Sequence, residues 1–407
     1  MTNAMTHPTA ASPGAAHLKY FAPLPVPDPG RLAHLQRLGD LRTPYATGPA
    51  VDDLFATALD EVNRWHIDNS PVYRDIWNGH SADRNAPIAS ADDAAGLPLV
   101  PATFFKSHEV LSIGRDEVAA HLTSSGTTGQ KSQMFFDAWS IGSVMRMAAF
   151  VLDHYGFITP DQPNNYLLYS YEPTDALKLG TAFTDNFLCD LAPVNERAYG
   201  LRAVGSEHVF DSFGSVDTLL RYAEQDLPVR ILGFPSFLWF TLERMRAMGV
   251  GPLKLRADSF VYLGGGWKGQ AGRQVSKFEL YDRIEEQLGI PHERVRDSYG
   301  AVEHGVTYAE CARHRLHAPV WSRIFARDVA TLRPLPYGEQ GYLHCVSPFM
   351  TSAPVHSLLM GDLVSVRPGS DCGCGLETPW FEIHGRAGTS TNRSCAVAAA
   401  ELMKGAS

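Results

Sequence analysis

Between residues 165 and 299, short apolar runs alternate with amphipathic helical patterns, and no other feature constrains the fold as much. Residues 166–169, 229–232 and 260–263 are compact apolar-rich runs of strand length, and 295–298 reads as a further strand. Residues 215–224, 237–248 and 270–288 carry apolar side chains at helical spacing, with Ser215 a candidate N-cap and Gly289 a C-terminal stop. Strands joined through helices run parallel by right-handed crossovers, so the expected body is an α/β layer with a mostly parallel sheet. Ligands of such sheets sit at the carboxyl ends of the strands.

The flanks read differently. Up to about Asp40 the chain is rich in Pro, Ala and Gly with little periodicity, which suits a mobile arm or an extended wrap. Val51, Leu54, Phe55, Ala58, Val62 and Trp65 then mark one face of a helix. After about Ala318, short alternating runs at 341–346, 363–366 and 380–384 are broken by Pro and Gly, as in a small antiparallel subdomain. The expected division is an N-terminal arm and helical region at 1–90, an α/β nucleotide-binding core at 91–317, a β-rich subdomain at 318–384 and a short C-terminal tail at 385–407.

Composition narrows the function. A formal charge of −9 with no basic run argues against nucleic-acid binding. No stretch reaches the roughly 18 to 20 apolar residues that span a bilayer, and the first 30 residues lack a signal peptide's basic and apolar regions. A cytoplasmic protein is expected, with its six cysteines reduced.

Three glycine-rich segments carry the chemistry. The stretch LTSSGTTGQKS at 122–132 gathers the hydroxyls of Thr123, Ser124, Ser125, Thr127 and Thr128 with the Lys131 cation, while Gly126 and Gly129 free the backbone. That inventory suits a phosphate cradle; the plain alternative is a polar surface loop. Gly264, Gly265 and Gly266 follow the strand at 260–263 and leave room for a flat ring against the backbone, or form a tight turn. Further on, Ser298, Tyr299, Gly300 and Glu303 offer an aromatic face, a backbone opening and a carboxylate able to hold a hard cation such as Mg2+. Taken alone, Glu303 is equally a helix-start carboxylate.

In this order the segments resemble the adenylate-forming superfamily of acyl-CoA synthetases, luciferases and peptide-synthetase adenylation domains. Gly361-Asp362 is similar to its ribose-binding Asp, and Gly385-Arg386 to the hinge before its C-terminal lid. The likeness covers about 98–386. Within it, VPATFFKS at 100–107, TSSGTTGQKS at 123–132 and GGWK at 265–268 resemble the LuxE-type acyl-protein synthetases, the ATP-using component of fatty-acid reductase complexes. The resemblance implies ATP and Mg2+ as cofactors and a small carboxylic acid, expected to be a fatty acid, as substrate. It also implies an acyl adenylate and an acyl-reductase or other acyl-accepting protein partner. Lys131, Glu303, Arg386 and Cys395 would be catalytic, Cys395 as acyl acceptor.

Two departures stand out: Val302 replaces the hydroxyl residue usual before the Glu, and only 21 residues follow Arg386, too few for a full lid with its late Lys. Lys404 lacks a context for that role. Cys395 is otherwise a buried residue of a small helix. Alternative readings are an acid:CoA or acid:carrier-protein ligase and a catalytically degenerate nucleotide-binding subunit of a reductase complex. Finally, Cys311, His317, Cys372 and Cys374 can close a tetrahedral zinc site, with His314 as substitute ligand. Without metal they are a thiol pair and solvent-facing histidines.

Overall fold

The computed structural model describes residues 16–80, 87–124, 132–174, 184, 187–205, 207–267 and 271–387. Two compact units emerge, Met1–Pro23 with Ala148–Ser298, and Leu24–Met147 with Tyr299–Ser407.

In the first unit the strands run laterally in the order Val295–Tyr299, Phe260–Gly264, Val229–Gly233, Asn164–Tyr171, Val194–Val204 and Glu207–Phe210. Every pairing is parallel except the last, an antiparallel edge. Helices Ser212–Ala223, Pro235–Ala247 and Lys277–Leu288 form the crossovers. Their apolar faces cover Leu167, Ile231, Val261 and Val295 with Leu219, Leu242 and Ile284, all fully buried. The expected α/β body with a mostly parallel sheet is therefore present.

Helix starts differ from expectation because the capping residues differ. Asp211, not Ser215, caps the first crossover: its carboxylate accepts from the Gly214 amide at 2.8 Å, and Ser215 lies inside, donating to the Asp211 carbonyl. Ser276 accepts from the Glu279 amide, so the α-helix expected from 270 begins at Lys277; Gly289, at φ 73°, closes it as anticipated.

The second unit carries a largely antiparallel sheet in the order Leu316–His317, Trp380–Arg386, Ser357–Arg367, Gln340–Val346 and Arg323–Arg327, with Val100–Pro101 added in parallel to Ser357–Arg367. This is the β-rich character expected after Ala318. Over its described part, the opening segment is not an unpatterned arm. Ala33–Gly39 is a helix, and Leu32, Leu35 and Leu38 are fully buried. Its first turn is satisfied from elsewhere, since Glu61 accepts from the amides of His34 and Leu35 at 2.9 and 3.0 Å. A cap supplied by a distant side chain leaves no local signal. Among the described residues no helix is long and apolar enough to cross a membrane.

Candidate active site

Thr123 and Ser124 stand at the mouth of an antiparallel hairpin, Ala120–Thr123 against Gln133–Phe136. The Ser124 amide donates to the Ser132 carbonyl at 3.2 Å, and the Ser132 amide donates back to Ser124 Oγ at 2.9 Å. Ser125, Gly126, Thr127, Thr128, Gly129 and Lys131, expected at the tip, lie outside the described residues.

In the first unit the glycine turn is shaped by close approach. A Cβ on Gly264 would sit 2.7 Å from Ser298 Oγ, and that hydroxyl donates to the Leu263 carbonyl at 2.7 Å. Gly265 and Gly266 follow with φ of 74° and 66°, values that suit glycine. Ser298 thus ties two neighbouring strand ends together and leaves the peptide groups of the turn as its chemical surface.

The second unit holds a side-chain cluster. Tyr299 donates to Asp362 Oδ2 at 2.9 Å, and Arg386 Nε reaches Asp362 Oδ1 at 3.3 Å from the strand position directly opposite. Asp362 is nearly buried while Arg386 is exposed. Burial and the adjacent Asp362 charge push the Tyr299 hydroxyl well above its ordinary range, so it stays a proton donor. The Tyr299 ring packs edge-on to Phe381 at 5.8 Å and tilted to Tyr308 at 6.1 Å.

Glu303 follows in a turn where the amides of His304 and Gly305 both donate to the Ala301 carbonyl at 3.0 Å. Its carboxylate is nearly buried, yet among the described residues it meets no hydrogen-bond donor. The turn is anchored from beneath by His304 Nε2, 2.7 Å from the Tyr308 hydroxyl, which is 2.6 Å from Ser322 Oγ. Burial lowers His304 to about 3, so its imidazole is neutral. Gly305, at φ 74°, leaves no room for a Cβ, which would meet Val144 Cγ2 at 2.8 Å. Gly300 faces no such crowding. Nothing in the spacing of the sequence pointed to Tyr308 or Ser322.

The four sulfur and nitrogen ligand candidates do converge. The ligand atoms of Cys311, His317, Cys372 and Cys374 all lie within 4.8 Å of one another. Cys311 and Cys372 sulfurs are 3.6 Å apart, and Cys374 Sγ is 3.4 Å from His317 Nε2. The amides of Arg313 and Leu376 point at Cys311 Sγ and Cys374 Sγ at 3.3 and 3.4 Å, donors that favour thiolates. His317 Nδ1 is 2.8 Å from the Thr378 carbonyl, an arrangement that holds the proton on Nδ1 and leaves Nε2 to ligate. His314 is directed elsewhere, with Nδ1 3.4 Å from Glu310 Oε2. The donor set and its supporting hydrogen bonds fit a tetrahedral zinc ion. Cys395 lies outside the described residues.

Three comparisons with known proteins bear on the chain. A long-chain-fatty-acid–luciferin-component ligase from Vibrio harveyi is 23% identical over 316 residues, covering 75% of this chain and 77% of its own. One of the same description from Aliivibrio fischeri is 21% identical, over 71% and 73%. Among solved structures, 2-hydroxyisobutyryl-CoA ligase in an open conformation with 2-HIB-AMP and CoA superposes with a TM-score of 0.61 at 17% identity, over 85% of this chain and 77% of that one. A postadenylation form of the same ligase gives 0.63 over 85% and 70%. The chain therefore has the fold of that ligase, as the resemblance to adenylate-forming enzymes implied. The profile of the family described as acyl-protein synthetase, LuxE, matches residues 50–404, and the chain belongs to that family.

Proposed function

We propose that this protein activates a long-chain fatty acid with ATP and passes the acyl group to a thiol. The observation that carries the reading is the Tyr299–Asp362–Arg386 cluster: a carboxylate fixed by a buried phenol and an exposed guanidinium, in a chain of the LuxE family. In the first half-reaction an oxygen of the fatty carboxylate attacks the α-phosphorus of ATP. The bond to the β,γ-phosphates breaks, and pyrophosphate leaves. Because a carboxylate is already ionised at neutral pH, the step needs positioning and charge neutralisation rather than a strong base. Lys131, Thr127 and Thr128 would hold phosphates, with Thr123, Ser124, Ser125, Gly126 and Gly129 shaping the cradle. Asp362 would accept from the ribose hydroxyls, and Gly264, Gly265, Gly266 and Tyr299 would accommodate adenine. Glu303, nearly buried and without a donor among the described residues, suits an Mg2+ ligand.

In the second half-reaction a thiolate sulfur attacks the acyl carbon and AMP leaves. The thiol of Cys395 is the proposed acceptor, and a reductase or other acyl-accepting protein the partner that receives the group next. An ordinary cysteine is a few per cent thiolate at neutral pH, enough for attack on a reactive adenylate. The Cys311, His317, Cys372 and Cys374 cluster would hold a structural Zn2+, which fixes the loop after Asp371 to the strand Leu316–His317.

Acid-dependent pyrophosphate exchange tests the first step. Lys131→Ala and Glu303→Gln should each lower it about ten- to a hundredfold, the loss of one charge-assisted contact; undiminished exchange in both overturns the assignment. Intact mass after incubation with ATP and a fatty acid tests the second step. A hydroxylamine-sensitive acyl adduct lost in Cys395→Ser supports self-acylation, whereas transfer to added CoA without any adduct replaces it with a CoA ligase.

A further inference from the structure

Among the described residues the hairpin of Ala120–Thr123 and Gln133–Phe136 forms a two-stranded sheet of its own and joins neither larger sheet. A lone two-stranded hairpin is marginally stable in water, so its surroundings decide where it stands. Met134 and Phe136 are buried and hold it to the second unit. Apolar contact is non-directional, however, and does not by itself fix the position of a strand end. Directional contacts flank this hairpin on both sides.

They come from the connection between Gln340–Val346 and Ser357–Arg367, which is buried throughout. Ahead of the first hairpin strand, the Ser112 amide donates to the Ser352 carbonyl at 2.8 Å. Directly after the second, Thr351 Oγ1 donates to Asp137 Oδ2 at 2.6 Å. The other oxygen, Asp137 Oδ1, accepts from the Ser140 amide at 2.6 Å and so caps the helix Ala138–His154. The Thr351 amide in turn donates to Ser140 Oγ at 3.0 Å. All five of these residues are buried, where a hydroxyl donating to a carboxylate is strong and costly to lose. The connection is itself pinned: Trp65 Nε1 donates to the Thr351 carbonyl at 2.9 Å, and His66 Nε2 lies 3.0 Å from the Met350 carbonyl while Nδ1 lies 2.7 Å from Ser112 Oγ.

The same connection reaches the other candidate nucleotide residues of this unit. A Cβ on Gly305, two residues beyond Glu303, would lie 3.7 Å from Met350 Sδ. Ser357, six residues after Thr351, opens the strand that carries Asp362. We infer that Thr351 is a positioning residue for the phosphate end of the nucleotide: through Asp137 its hydroxyl sets the hairpin against the Glu303 turn and the Asp362 strand. Thr351 is fully buried and acts through these groups, not on the nucleotide itself. The inference rests on the proposed reading of the hairpin as a phosphate cradle. On that reading the hairpin serves the phosphates and Asp362 the ribose, so a displaced hairpin should harm ATP and spare AMP.

Calorimetric titration of the intact protein with ATP and with AMP, both in Mg2+, tests this. Thr351→Val keeps the volume and removes the hydroxyl; it should weaken ATP about tenfold or more, the scale of a misplaced contact, and leave AMP within about twofold. Thr351→Ser restores the donor and should recover most of the ATP affinity. Asp137→Asn keeps an acceptor for the Ser140 amide and weakens the tie to Thr351, so it should show the same split at smaller amplitude. It is the second route if circular dichroism finds Thr351→Val unfolded. Equal losses for ATP and AMP, unchanged ATP affinity in the folded variants, or no recovery in Thr351→Ser would make Thr351 an ordinary core hydroxyl and overturn the inference. Lys131→Ala, titrated alongside, separates the two readings. If it weakens ATP while Thr351→Val does not, only the positioning role falls; if it leaves ATP binding unchanged, the phosphate cradle falls and takes this inference with it.

Discussion

The Cys311–His317–Cys372–Cys374 cluster and the Tyr299–Asp362–Arg386 cluster belong to the same unit, and His317, Asp362 and Arg386 to the same sheet, yet the two are built on opposite plans. In the first, four ligand atoms crowd within 4.8 Å, and the hydrogen bonds around them point inward at sulfur or fix an imidazole tautomer. Such an arrangement is complete once an ion sits in it and is closed to anything else. In the second, a carboxylate is held between a buried phenol and an exposed guanidinium. On the proposed function, the contrast separates a site that would contribute to folding from one that would contribute to recognition.

Removing the metal should break this contrast most severely. Structural zinc sites supply on the order of 10 kcal/mol of folding free energy. Elemental analysis should find about one zinc per chain, and chelation or Cys311→Ala should lower the unfolding temperature by about 10 °C or more. Purified protein with well under one zinc, prepared without chelator, would remove the metal and leave the cluster a set of packed thiols.

Acid sharpens the comparison by loading the buried imidazoles of the same unit. His66, His304, His344 and His356 are all buried, and desolvation lowers each; His304 and His356 fall to about 3. Their folded values lie below the unfolded value near 6.5, so the unfolded chain binds more protons between about pH 6.5 and 3. The stability they contribute is fully present above pH 6.5 and is lost as pH falls, by up to about 1.4 kcal/mol per histidine per pH unit. Denaturant titrations at pH 7.5 and 5.5 should show a clearly lower midpoint at 5.5. Equal midpoints would mean that these rings take up protons in the folded state.

Substitution at Asp362 probes recognition. Asp362→Ala should raise the KM for ATP about tenfold or more, and it also strands the buried Tyr299 hydroxyl, costing roughly 1–3 kcal/mol of stability. Tyr299→Phe separates the two effects, since it removes the phenol donor and keeps the carboxylate. If both variants lose stability while the KM for ATP stays at its wild-type value, Asp362 is a structural acceptor only.

The smallest effect is expected at Tyr308, which links His304 to Ser322 beneath the Glu303 turn. Tyr308→Phe should cost about 0.5–1.5 kcal/mol and raise the Mg2+ concentration needed for half-maximal exchange several-fold. An unchanged Mg2+ requirement would detach this network from Glu303.

Local periodicity and capping made much of the fold legible before any coordinates. The runs at 229–232, 260–263 and 295–298 became neighbouring parallel strands, and Gly289 ended its helix in the left-handed conformation. Elements whose support is remote were missed or misplaced. The helix Ala33–Gly39 is capped by Glu61, and the strand Val194–Val204 exposes much of its length, so neither carries a clean apolar pattern.

By itself the sequence determined which residue types stand where: the three glycine-rich segments, the cysteines, and an order of motifs specific enough to name a superfamily. Tertiary structure decided which of them meet. Asp362 finds Tyr299 across 63 positions, and His317 rather than His314 joins the cysteines. The reason is register. His317 is paired with Trp380 in the sheet, which brings its ring to the loop of Cys372 and Cys374, while His314 sits in a turn at φ 56° that directs it to Glu310. Chain-order spacing cannot encode that choice, because strand pairing between distant segments fixes side-chain facing only after the sheet has formed.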